Sequence, residues 1–154
     1  MPLSEHNDPL HPVNCIGNAI RKASRAASSY YEGYLRPADL RFTQFSVLVA
    51  IRELGDPSVQ ELASVTRIDR TTLTRTLGRM KKSDLVALLP GSDRRERHVR
   101  LTEEGRGRLI DAEKRWLEAQ EHVRSVVGDE EMAVFQRVLH EVDRLSDQGD
   151  PNGG

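Results

Sequence analysis

Two short stretches hold residues of a type and spacing suited to gripping a polyanion. "GSDRRERHVRLT", Gly91 to Thr102, crowds five basic residues and two acids into a turn that runs into an alternating strand. "DRTTLTRTLGRM", Asp69 to Met80, reads as a helix with Leu73, Leu77 and Met80 on one side. The other side carries Arg70, Thr71, Thr74, Arg75 and the slim Gly78. Guanidinium groups and hydroxyls are the donors that phosphates and base edges accept. Arginines crowded at a hairpin tip repel one another until phosphate arrives. Catalysis has no comparable support, because one cysteine, five scattered histidines and no phosphate loop or paired ligand motif assemble no reaction centre. The expectation is a non-enzyme without cofactor or metal.

Charge distribution points the same way. The 154 residues carry a net charge of -1, with 37% hydrophobic and 31% charged residues, as in an ordinary globular chain. From Arg67 to Arg108, however, twelve bases face six acids, a net of +6 that leaves -7 for the remainder. Such asymmetry is expected where one surface meets a nucleic acid. The start "MPLSEHNDPLHP" lacks a cationic region followed by an apolar run, and "FSVLVAI" is too short to span a bilayer. A cytoplasmic location with no membrane contact is expected, and the lone Cys15 allows no intrachain disulfide.

The elements that must position these residues follow from periodicity. Residues 1–10 read as a flexible arm. A first helix is expected to start between Asp8 and Pro12 and to run to about Leu35, with Val13, Ile16, Ile20, Ala23, Ala27, Tyr30 and Tyr34 as its stripe. Thr43 is the expected cap of a second helix, which ends at "GDP", Gly55 to Pro57. Ser58 and Glu61 form the capping box of a short third helix to about Val65, and Asp69 caps the fourth. "LVALLP" and "RHVRL" flank the arginine turn as a β-hairpin, with Val99 and Leu101 pointing opposite to His98 and Arg100. Thr102 caps a long fifth helix that reaches Gly128, and a sixth covers about Asp129 to Ser146. Trp116 and the three tyrosines are read as packing residues.

A short capped helix, a tight turn through "TRID" and a second helix with a polar face make a helix-turn-helix, and the hairpin adds a wing. Together, "FTQFSVLVAI", "SVQELASVTRIDRTTLTRTLGRMKKSDLV" and "DRRERHVRLTEEG" resemble the MarR family of bacterial transcriptional regulators over roughly Val13 to Ser146. The wing motif D-x-R, then an apolar strand and L-T-x-x-G, is matched by Asp93, Arg95, Leu101, Thr102 and Gly105. The fold class is therefore mainly α with a small β-hairpin, a winged helix-turn-helix domain plus a helical dimerisation region. Its parts are residues 11–36 as the first dimerisation helix, 37–101 as the DNA-binding domain, 102–147 as the C-terminal dimerisation helices and 148–154 as a tail.

The resemblance implies a homodimer that binds a pseudo-palindromic operator in double-stranded DNA as a repressor. It places Thr71, Thr72 and Arg75 at base edges and Arg70 and Thr74 near phosphates. Arg95 enters the minor groove, oriented by Asp93, with Arg94 and Arg97 alongside. It also implies release by a small phenolic or anionic effector, with His11, Tyr30, Tyr34 and Arg41 as candidate ligand residues. One peroxide-sensing branch carries its reactive cysteine near the position of Cys15. Tyr31 supplies one hydroxyl of the kind found there, but Phe42 occupies the place of another, so a buried helix cysteine is the expectation and a Cys15-based peroxide sensor the alternative. A winged module for protein or RNA contact is the remaining rival, and the pairing of Thr71 and Thr72 with Asp93 and Arg95 separates the two.

Overall fold

The computed structural model describes residues 15–91 and 97–147. Its elements are α1 (Ile16–Leu35), a single 3-10 turn (Arg36–Ala38), α2 (Phe42–Leu54), α3 (Val59–Thr66), α4 (Arg70–Lys82), β1 (Val86–Pro90), β2 (Arg97–Leu101), α5 (Glu103–Val127) and α6 (Asp129–Asp147). Residues up to Trp116 form one compact unit and those from Leu117 a second.

The first unit is organised by helix caps and one shared core. Cys15 is extended and precedes α1 without a side-chain capping bond. The helix therefore begins later than the signals between Asp8 and Pro12 suggest; those signals lie outside the described residues. Pro37 in the following 3-10 turn ends α1 as expected. α2 begins one residue before Thr43. Arg41 is its extended N-cap, and the Gln44 side chain reaches back to accept the Arg41 N–H at 2.9 Å. That single bond, available without a hydroxyl at the cap, displaces Thr43 into the first turn.

At α3 the S-x-x-E pattern behaves as read. The Ser58 N–H donates to Glu61 Oε2 at 2.7 Å, and the Glu61 N–H donates to Ser58 Oγ at 3.2 Å. Replacing Ser58 by Ala is expected to cost about 1 kcal/mol, because two otherwise orphaned amides lose their arrangement. Chemical denaturation checks this, and an unchanged midpoint would deny the box any share in stability. Asp69 caps α4 by accepting the Thr72 N–H at 2.9 Å.

α2, α3, α4, the hairpin and the start of α5 then close on one core. Leu48, Ile51, Leu62, Leu73, Leu77, Met80, Leu85, Val99 and Leu109 are all essentially inaccessible, each contributing roughly 1.5–3 kcal/mol by burial. Trp116 packs on this core, its ring 6.1 Å from that of Phe45. β1 and β2 are antiparallel, with Val86 opposite Leu101 and Leu88 opposite Val99. Val99 and Leu101 are buried while Arg100 is exposed, so the alternation read in "RHVRL" sets the inward face.

The junction from wing to α5 is tight. Thr102 Oγ1 accepts the Gly105 N–H at 2.9 Å and donates to the Asp84 carbonyl. Gly105 lies against the Leu85 carbonyl so closely that a Cβ has no room. Gly128, at φ 93, ends α5 in a conformation that favours glycine.

In the second unit, buried Ala119 contrasts with largely exposed apolar side chains. Leu117, Val126, Val134, Phe135, Val138 and Leu145 are each 43–73% accessible. On α1, in the first unit, Ile16 is likewise 61% accessible. Among the described residues no helix is long and apolar enough to cross a membrane.

Candidate nucleic-acid interface

α3 and α4 are joined by Arg67, Ile68 and Asp69, with Arg67 in the left-handed region at φ 54. The turn sends α4 off with Leu73, Leu77 and Met80 inward and Arg70, Thr71, Thr74 and Arg75 outward. Those four outward residues line a shallow concavity of about 490 Å³. A side chain added at Gly78 would meet open space, so the exposed face stays low beyond Arg75.

Two hydroxyls on this helix are already engaged. Thr74 Oγ1 donates to the Arg70 carbonyl at 2.7 Å. The Thr72 hydroxyl and amide both bond Asp69 and hold its carboxyl below the usual carboxylate range. Thr71 and Arg75 are exposed on the same face. The structure thus brings five of the sequence-predicted residues, Arg70, Thr71, Thr72, Thr74 and Arg75, onto one helix and gives Thr72 a second task in capping.

Arg97 opens β2 and is exposed. Asp93, Arg94 and Arg95 lie outside the described residues, as does His11. At the root of the wing, Arg100 Nε donates to Asp56 Oδ2 at 2.7 Å, and the His98 ring Nδ1 bonds the Asp56 carbonyl at 2.8 Å. Arg100 holds the Asp56 carboxyl below its ordinary range. In sequence "GDP" marks only a helix stop, and the contact of Asp56 with β2 is an addition. Its signal was the strand alternation, which sets His98 and Arg100 on one face.

Of the ligand candidates among the described residues, Tyr30 and Tyr34 pair with each other and Arg41 lines a cleft. Tyr30 donates to the Tyr34 hydroxyl at 3.4 Å, with ring centres 5.3 Å apart, and that bond helps push the Tyr30 phenol up to about 12. Arg41 instead lines a cleft of about 450 Å³ with Glu32, Arg36, Asp39, Leu40, Gln44, Ser83, Leu85 and Arg108. Neither tyrosine is among those lining residues. Cys15 is exposed, not buried as expected, because it precedes α1 and lies outside its packed stripe. Tyr31 stacks on Phe42 at 5.2 Å, a packing contact. Among the described residues no three His, Cys, Asp or Glu side chains group as metal ligands would.

Three carboxylates at the interface share a titration behaviour. Arg100 lowers Asp56, the Ser58 amide lowers Glu61, and the Thr72 hydroxyl lowers Asp69. A depressed folded-state pKa gives stability that is present above the unfolded value and lost as pH falls through the folded one. Thermal melts followed by circular dichroism are therefore expected to be level down to about pH 5 and to fall below about pH 4. The combined variant Asp56→Asn, Glu61→Gln, Asp69→Asn should fall less steeply, and an identical slope would remove these three groups from the account.

A model of the MarR family matches residues 38–96, which include α2, the helix-turn-helix and β1. The transcriptional repressor NicR of Pseudomonas putida is 34% identical over 107 residues, covering 69% of this chain and 67% of that protein. The chain belongs to the MarR family. Solved MarR-family structures agree with the fold. The Mycobacterium tuberculosis transcriptional regulator MosR in complex with DNA aligns with a TM-score of 0.75 at 34% identity, over 87% of this chain and 95% of that one. A single-site variant of Escherichia coli MarR bound to operator DNA aligns at 0.79 and 25% identity, over 88% and 99%. MarR-family chains are DNA-binding transcriptional regulators.

Proposed function

We propose that this regulator is a cytoplasmic repressor that binds a pseudo-palindromic operator as a homodimer and releases it when a small phenolic or anionic effector binds. The observation that carries the reading is the α4 face, where Arg70, Thr71, Thr74 and Arg75 surround one shallow concavity backed by three buried side chains. A helix with that profile fits the major groove. Thr71 and Arg75 address base edges, and Thr72, its hydroxyl turned to Asp69, offers its methyl. Arg70 and Thr74 lie toward phosphates. Asp93, Arg94, Arg95 and Arg97 serve the wing, with Arg95 in the minor groove, where negative potential is concentrated.

Exposed Ile16 of α1 and the exposed apolar residues of α5 and α6 support assembly, since a monomer rarely leaves so much apolar surface to water. Closure by a second chain is the economical explanation for such faces on terminal helices. The effector reading rests on the cleft that Arg36 and Arg41 line, where two guanidinium groups and the Gln44 amide offer donors to an anion. His11, Tyr30 and Tyr34 remain further candidates for contact with an effector.

The test is fluorescence anisotropy on a duplex from upstream of the protein's own gene against a scrambled one, at several salt concentrations. A preference of about a thousandfold with a steep salt slope is expected. Equal weak binding to both, on this and other operator candidates, would overturn the reading and favour a module for protein or RNA contact. Cys15→Ser is expected to leave this binding intact; release of the wild type but not of the variant by peroxide would instead make Cys15 a sensor.

A further inference from the structure

A two-stranded ribbon on its own is marginally stable in water, so the attitude of the wing must be set by what grips its base. Beside the core packing of Val86, Val99 and Leu101, that grip comes from the α2–α3 turn. Asp56, at φ 57, turns its carbonyl to His98 Nδ1, which must donate because a carbonyl only accepts. The Val99 N–H donates to the Pro57 carbonyl at 2.8 Å, and Ser58 forms a bridge with His98. Asp56, Pro57 and Ser58 thus run beside β2, joined to it at one isolated bridge. Arg100 closes the arrangement with two guanidinium bonds to one Asp56 oxygen. Ser58 is also the N-cap of α3. A single three-residue segment therefore ties β2 to the start of the helix-turn-helix.

We propose that Asp56 is a positioning residue for DNA binding, acting through Arg100 to hold the wing at a fixed angle to the recognition helix. The inference rests on the reading that the wing contacts DNA. The pair is partly exposed, with side-chain accessibilities of 54% for Arg100 and 39% for Asp56, so its share in global stability is small. Its leverage is larger. From Arg100 to Arg97 the strand runs about 10 Å, and a rotation of about 10° at the base moves that end by roughly 1.7 Å, enough to break a hydrogen bond. Electrostatics also argues for a geometric purpose. A bare carboxylate at the base of a DNA-contacting wing would oppose binding, and the Arg100 pair neutralises it.

The test uses the full chain and a substitution that preserves net charge, Asp56→Asn with Arg100→Gln; asparagine tolerates the left-handed backbone at position 56. Operator affinity is measured by anisotropy in the wild-type background and in Arg95→Ala, with thermal melts alongside. The double substitution should weaken operator binding about fivefold in the wild-type background and less than about twofold once Arg95 is gone. The melting temperature should move by no more than about 2 °C. Unchanged or tighter binding would overturn the proposal, and so would an equal loss in both backgrounds, which would make the pair a merely structural contact. If Arg95→Ala alone leaves affinity untouched, the wing reading itself fails, and any remaining loss from the pair must come from elsewhere.

Discussion

Replacing Gly105 by Ala is expected to lower the melting temperature by about 10 °C, corresponding to roughly 3 kcal/mol. A Cβ at that position would overlap the Leu85 carbonyl oxygen and lie 2.9 Å from its carbon and 3.3 Å from its Cα. All three are backbone atoms, so no rotamer change relieves the overlap. Relief requires the first turn of α5 to move away from Leu85, which also threatens the Thr102 N–H bond to the Leu85 carbonyl at 3.2 Å. Gly107, two residues on, provides the control. It is exposed, and a Cβ there meets nothing within 4 Å, so Gly107→Ala should stabilise α5 by about 0.5–1 kcal/mol. If the two variants melt alike, close approach does not explain the glycine in L-T-x-x-G.

Arg75→Ala and Arg95→Ala should each cost about 1–3 kcal/mol in operator binding, or roughly 5- to 150-fold in affinity. Arg75 projects from the exposed face of α4, with Thr71 one turn before it. Loss of a group that reads base edges must fall more heavily on the operator than on a scrambled duplex. Arg70→Ala should weaken both duplexes alike and flatten the salt slope by about one, as expected for a phosphate contact. The contrast is decisive because all three variants remove one positive charge. Equal losses on both duplexes for Arg75 would reduce α4 to a non-specific cation surface.

Much of this architecture was legible because short-range chemistry dictates it. Ser58 with Glu61 and Asp69 with the Thr72 amide satisfy helix-end donors from within four residues, so no tertiary information is needed to place α3 and α4. The same holds for the alternation of Val99 and Leu101 with Arg100. What escaped the sequence is either a competition between neighbouring caps or a contact between partners distant along the chain. Thr43 is a good cap by residue type, yet Gln44 reaching back to Arg41 won the position. Asp56 and Arg100 stand 44 residues apart, and no periodicity links a loop residue to a strand residue. Cys15 illustrates a further limit: composition predicts a buried thiol, whereas placement at the helix boundary exposes it.

The apolar side chains left open on α1 and α6 have a consequence for how much of the chain a cell must hold. If a second copy closes those faces, folding and assembly share one equilibrium, and dilution removes stability as surely as heat does. Scarce chain would then be lost twice, once because operator occupancy follows the dimer concentration and once because unpaired monomers become substrates for proteolysis. Silencing would sharpen with abundance, and a modest change in synthesis rate would move the regulated gene more than in proportion.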